Sequence, residues 1–144
     1  MAASGVVILV DSSAWIEYLR ATDSDVDRCL RTLLKTQGSL ATTGVIVLEV
    51  LAGAREESHA RKLARLLGRC ELLLVQEPSD HEAAAALYRA CRSRGVTIRR
   101  PPDLLIATVA IRTNTPVLHR DADFEAIATQ MPLRLIDPVR GQVD

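Results

Sequence analysis

The sequence predicts an α/β fold, a mainly parallel sheet covered on both faces by helices. Three features carry the prediction. Short runs of branched apolar residues recur along the chain, and segments with helical periodicity and end signals lie between them. The two kinds alternate from end to end, as they do when a crossover helix returns each strand parallel to the last.

The first run, VVILVD (6–11), is apolar at successive positions, which fits a strand buried on both faces, and it ends on a carboxylate, Asp11, at the rim of the sheet. SSAWIEYLR then reads as a short helix and SDVDRCLRTLLKTQG as a second, with Ser24 as N-cap, acids in the first turn and Gly38 as the stop. SLATT is the second strand, GVIVLEVLAGA a nearly all-apolar helix, and SHARKLARLLG a helix capped by Ser58 and closed by Gly68. CELLLV is the third strand. SDHEAAAALYRACRSRG opens with a capping box, Ser79 and Glu82, and closes at Gly95. PPDLLIATVAIRTN starts a helix at a proline pair and runs to Asn114; PVLHR is the fourth strand, DADFEAIATQ the seventh helix and LRLI the last strand. No linker, repeat or low-complexity tract interrupts the series, so residues 1–144 are expected to form one domain.

Composition narrows the class. Hydrophobic residues make up 48% and charged residues 25% of the chain, and no apolar stretch approaches the ~20 residues that span a bilayer. Residues 1–5 carry no basic segment and the apolar run after them is short for a secretion signal, so a cytoplasmic protein without membrane attachment is expected. Cys29, Cys70 and Cys91 are odd in number and far apart, which leaves no full disulfide framework and no C-x-x-C metal knuckle. Net charge is zero, so any contact with phosphate has to be local. Trp15, Tyr18 and Tyr88 are too few and too helix-spaced to make a base-stacking platform, and Trp15 reads as core or as a dimer contact.

The acids resist a purely structural account. Glu49 is the only ionisable group in GVIVLEVLAG, with no polar face to share, and an unpaired carboxylate among apolar groups costs several kcal/mol unless it neutralises or finds a cation. Asp103 opens a helix just after Arg99-Arg100-Pro101-Pro102, and Asp121 and Asp123 follow the fourth strand. Taken singly, each aspartate serves equally well as an N-terminal acid or cap. Together they put carboxylates at strand ends and helix starts that this fold gathers on one rim, where ligands bind in such sheets. Carboxylates so gathered repel one another unless a cation sits among them, and oxygen ligands without cysteine or histidine sets suit Mg²⁺ or Mn²⁺. Phosphodiester hydrolysis is the chemistry such an ion serves.

In order, LVDSSAWI, LEVLAG, RRPPDLLIA and VLHRDADFEAIA resemble the PIN domain, and specifically the VapC-type ribonuclease toxins of bacterial toxin–antitoxin pairs, from Val6 to about Pro138. The resemblance implies a three-layer α/β/α fold with about seven helices on a five-stranded sheet of order 3-2-1-4-5, which sets Asp11 and Asp121 side by side. It implies that Asp11, Glu49, Asp103 and Asp121 are the catalytic and metal-binding acids, with Asp123 as an auxiliary ligand, in Mg²⁺- or Mn²⁺-dependent cleavage of transfer or ribosomal RNA. Ser13 matches the family's hydroxyl two residues after the first acid and is expected either to orient a water at the ion or to cap the helix. His119 stands where many relatives carry threonine, either as a phosphate contact or pH-sensitive donor or without a chemical role. Arg99 and Arg100 are candidate RNA contacts. The implied partners are a cognate antitoxin whose C-terminal tail inserts Arg or Lys among the acids, operator DNA reached only through that antitoxin, and a second copy in a homodimer.

Two other readings compete. A phosphatase of the haloacid-dehalogenase type also puts a strand-end aspartate beside late acids, but it needs a second aspartate where Ser13 stands. A non-catalytic interaction module of the same fold would have no reason to keep acids that repel one another.

Overall fold

The computed structural model describes residues 6–144. The reading of residues 1–5 as lacking a secretion signal therefore lies outside the described residues. The elements run β1 (Ile8–Val10), α1 (Ser12–Leu19), α2 (Asp25–Lys35), β2 (Leu40–Thr42), α3 (Gly44–Ala52), α4 (Glu57–Leu67), β3 (Glu71–Leu72), α5 (Ser79–Ser93), α6 (Pro101–Thr113), β4 (Val117–Leu118), α7 (Ala122–Ala128), β5 (Ile136–Asp137) and β6 (Gln142–Val143). All seven expected helices are present, and the main sheet is parallel in the order β3-β2-β1-β4. Among the described residues no helix is long and apolar enough to cross a membrane.

β1 is the hub. Leu9 pairs with Ala41 on one side and Val117 on the other, and both Leu9 and Val10 are fully buried, as the unbroken apolar run requires of a strand covered on both faces. Around it the core closes with Trp15, Leu30, Ile46, Ile106, Phe124 and Ile127. Trp15 is wholly inside the chain, edge-on to Tyr18 at 6.0 Å between ring centroids, so it is core and not a contact for a second copy. All three cysteines are free, Cys29 and Cys91 buried and Cys70 half-buried.

Several local expectations need correction. The fifth strand is reduced to one parallel bridge, Val117 to Leu135, after which the chain leaves the sheet and folds Ile136–Asp137 back antiparallel on Gln142–Val143. The Asp137 carboxylate, accepting from the amides of Val139 and Arg140, and Gly141 at φ 68° shape that turn. At the end of α2 it is Gln37, φ 55°, that takes the left-handed position, while Gly38 donates its amide to the Leu33 carbonyl. Ser58 lies inside α4, which begins at Glu57. Ser79 and Glu82 form no capping box: Asp80 reaches back to the amide of Gln76 instead and is gripped by Arg112 of α6. The helix signals that held are Ser24 at α2, Gly68 closing α4, left-handed Gly95 just past α5, the proline pair at α6 and left-handed Asn114 closing α6.

Candidate metal centre

Four elements converge at the carboxyl ends of β1 and β4. Asp11, one residue beyond β1, caps α1: its Oδ2 accepts from the Ser13 amide at 3.0 Å and the Ser13 hydroxyl at 2.6 Å. Asp121, at the corresponding place after β4, caps α7 by accepting from the Asp123 amide at 2.9 Å. Asp103 sits in the first turn of α6. Two parallel strands that are neighbours in the sheet thus deliver two aspartates to one rim, and the start of α6 adds a third. The capping roles are real for Asp11 and Asp121 and leave one oxygen of each over, whereas Asp103 makes no cap bond at all.

Asp103, Asp121 and Asp123 each offer an oxygen within 4.8 Å of the others. Asp123, expected as an auxiliary, is therefore as central as the rest; the backbone amides of Arg99 and Arg100 hold its two oxygens at 3.2 and 3.0 Å. Asp11 and Glu49 flank this triad. Glu49 resolves its apolar helix by pointing to the rim, where the Ser12 hydroxyl donates to it at 2.9 Å and the Arg100 guanidinium bonds its other oxygen. The sequence signalled an unsatisfied Glu49 but gave no sign that Ser12 and Arg100 would be its partners. Of the two expected RNA contacts, Arg100 is committed to Glu49, and the exposed Arg99 side chain forms no ion pair among the described residues.

Ser13 is not the helix cap. Its hydroxyl gives its proton to Asp11 and accepts the Arg120 amide at 2.8 Å, tying the turn after β1 to the turn after β4. That single proton is spent, and the cap of α1 is Asp11. His119 also has both ring nitrogens engaged. Nδ1 accepts the Asp121 amide at 3.0 Å, which places the ring proton on Nε2, 3.2 Å from Glu125, while the ring packs on Phe124. His119 thereby holds the backbone of Asp121 in place.

The electrostatics are those of carboxylates denied both water and protein donors. Burial, then the charges of Asp11 and Asp121, push the Asp103 carboxyl up to about 8, with Asp123 alongside adding to the effect. Burial likewise holds Asp11 above the ordinary carboxylate range, with the charge of Glu49 adding to it and the bonds from Ser13 only partly opposing. For Arg100, burial acts to lower the pKa, but Glu49, Asp103, Asp11 and Asp121 more than reverse it. Among the described residues, Asp11 Oδ1 and Asp103 Oδ2 are buried and accept no hydrogen bond from the protein. Buried oxygens of this kind cost free energy unless something binds them, and an all-oxygen donor set fits a hard divalent cation.

Comparison with known proteins agrees with this geometry. The model of the PIN domain family matches residues 8–130. Ribonuclease VapC11 of Mycobacterium tuberculosis is 42% identical over 123 residues, 85% of this chain and 92% of that protein. Ribonuclease VapC51 of the same organism is 35% identical over 113 residues, 77% and 81% of the two chains. In structure, the chain superposes with a TM-score of 0.70 on VapBC2 from Rickettsia felis, solved bound to a DNA fragment from its promoter, at 19% identity and covering 96% of this chain and 100% of that one.

Proposed function

The chain belongs to the PIN domain family, in its VapC branch, and we propose that it is an endoribonuclease toxin that needs Mg²⁺ or Mn²⁺ and is silenced by a cognate antitoxin. One observation carries the metal dependence: the unmet oxygens of Asp11 and Asp103 beside the carboxylates of Asp121 and Asp123. Asp11, Asp103, Asp121 and Asp123 would hold the ion, which would supply positive charge against the phosphate oxygens and lower the pKa of a bound water. The rest is work for the chain itself. Ser13 and His119 fix the two turns that present Asp11 and Asp121, and the amides of Arg99 and Arg100 fix Asp123, so the acids are held rigidly before anything binds. Glu49, half-buried and tethered by the Ser12 hydroxyl and the Arg100 guanidinium, has partners that it can exchange when substrate arrives.

The RNA is a structured cellular RNA, transfer or ribosomal. The relatives named above are ribonucleases, which supports that reading. Arg100 on Glu49 supports the route of inhibition, since a guanidinium of the chain's own already fits against the acid set. An antitoxin tail presenting Arg or Lys would complete that neutralisation, with operator DNA bound only through the antitoxin. Leu48 on α3 and Ile16 on α1 are 69% and 38% exposed on helices that pack together, which supports a homodimer or a larger toxin–antitoxin assembly in the cytoplasm.

The test is cleavage of total bacterial RNA by the wild type and by Asp103→Asn, with Mg²⁺, with Mn²⁺ and in EDTA. Discrete fragments are expected from the wild type with either ion and from neither the mutant nor the chelated enzyme. Cleavage that persists in EDTA, or in the mutant, contradicts the proposal.

A further inference from the structure

From Ala83 to Pro102 the chain contains five arginines and no acid, in a molecule whose net charge is zero. Arg89, Arg92, Arg94, Arg99 and Arg100 are all exposed, on the last turns of α5 and the connection that leads into α6. That connection is the one whose amides hold Asp123 and whose Arg100 bonds Glu49. Among the described residues, Arg89, Arg92, Arg94 and Arg99 form no ion pair, whereas Arg28, Arg31, Arg112 and Arg120 all do.

Beside these free cations a groove of about 330 Å³ lies between α5 and the start of α6, lined by Ala84, Ala85, Tyr88, Arg89, Pro101 and Leu104. The Tyr88 ring forms one wall and carries the Arg92 guanidinium 5.4 Å from its centroid. Pro101 opens the helix whose first turn carries Asp103, and the connection before it supplies the amides that hold Asp123, so the groove and the acid set share the start of α6. A lone tyrosine is no platform for a run of bases. With Pro101 as an apolar neighbour and guanidinium groups along the rim, it has the chemistry that seats one base, flat face inward, with phosphates outside. A second copy of the chain suits this face poorly, because it would bring unpaired arginines towards one another.

We propose that this groove seats one unpaired base of the RNA beside the bond that is cut, with Arg89, Arg92, Arg94 and Arg99 following the phosphates on that side. The proposal rests on the ribonuclease reading, and its test separates the two. Binding is measured on the full chain in EDTA, so that cleavage does not intervene, with a fluorescein-labelled single-stranded RNA of about 12 nucleotides and with the same RNA annealed to its complement. Tyr88→Ala is expected to weaken single-strand binding about fivefold to a hundredfold, the worth of one stacked base, and Tyr88→Phe to restore it. The pair Arg89→Ala and Arg92→Ala is expected to reduce the slope of log K against log salt by about 1.4, two phosphate contacts on a single strand. Arg61→Ala with Arg65→Ala on α4 removes the same charge from exposed positions elsewhere and is expected to change neither. Thermal melts confirm that each variant folds. Binding that is absent in the wild type, equal in the α5 variants, or lost as much in the α4 control overturns the groove, and so does a Tyr88→Ala change that merely dissociates a dimer. If the wild type cuts RNA with Mg²⁺ while the α5 variants bind like it, the ribonuclease stands and the groove falls. If binding depends on Tyr88 but no RNA is cut, the outcome is reversed.

Discussion

Asp80 and Asp103 are the same residue type at nearly the same depth, 3% and 1% exposed, each near the start of a long helix, yet the chain treats them in opposite ways. Asp80 accepts from the Gln76 amide and, through both oxygens, from the Arg112 guanidinium, at 2.8 to 3.2 Å, and its hydrogen bond with Arg112 holds its carboxyl below the usual range. Asp103 has a buried oxygen with no donor, two like charges beside it, and a carboxyl pushed up to about 8. Burial of a charge is thus no mark of function in itself. What separates the rim from the α5–α6 clamp is that one carboxylate is supplied with donors by the fold and the other is not.

The comparison can be broken most decisively by the same substitution at both sites. Asp80→Asn leaves Arg112 without its anion and should destabilise the protein by roughly 3 kcal/mol, with the response of its melting temperature to Mn²⁺ intact. Asp103→Asn removes a charge the fold never satisfied. Because the amide needs no proton to be buried, the change should raise the metal-free melting temperature at pH 7 by at least ~2 °C, the shift about 1 kcal/mol gives in a chain of this size, and abolish the Mn²⁺ response. Thermal melts of both mutants with and without Mn²⁺ check this. Equal destabilisation at the two positions would make the rim an ordinary polar cluster.

A smaller effect sharpens the contrast through pH. Between its ordinary value of 3.8 and about 8, Asp103 keeps in the folded protein a proton that the unfolded chain has lost, so metal-free stability falls as pH rises across that window. Asp80, held low, acts with the opposite sign: its contribution is complete above the unfolded value of 3.8 and is lost as pH falls through its folded value. Urea denaturation of the metal-free protein from about pH 2 to about pH 8 should therefore show a decline above pH 4 that Asp103→Asn flattens, while Asp80→Asn removes only the acid-side loss.

The same contrast explains what could be read from the sequence. The α/β alternation and the buried β1 were legible from local pattern, and Asp11 and Glu49 stood out because each broke a local rule, a carboxylate ending an apolar strand or standing in an apolar helix, whereas Asp103 and Asp121 read singly as ordinary helix-start acids. Asp123 was underrated because its place depends on the amides of Arg99 and Arg100, which arrive from another element. The roles of Ser13 and His119 were hidden for the same reason: both act on backbone amides at the turn after β4. Capping boxes misled where a tertiary partner outbid the local one, as Arg112 does for Asp80. The fifth strand was lost where Asp137 and Gly141 favour a hairpin over an extension of the sheet.

The central claim is that the rim acids are unsatisfied because they await a divalent ion. Isothermal titration of the metal-free wild type with Mn²⁺ at pH 7, in two buffers of different ionisation enthalpy, tests it most directly, because an ion that takes over Asp103 must displace the proton that burial and neighbouring charge keep there. Saturable binding with proton release, lost in Asp103→Asn and kept in Asp80→Asn, is the predicted result. Absence of binding, or binding that Asp103→Asn leaves unchanged, would contradict it.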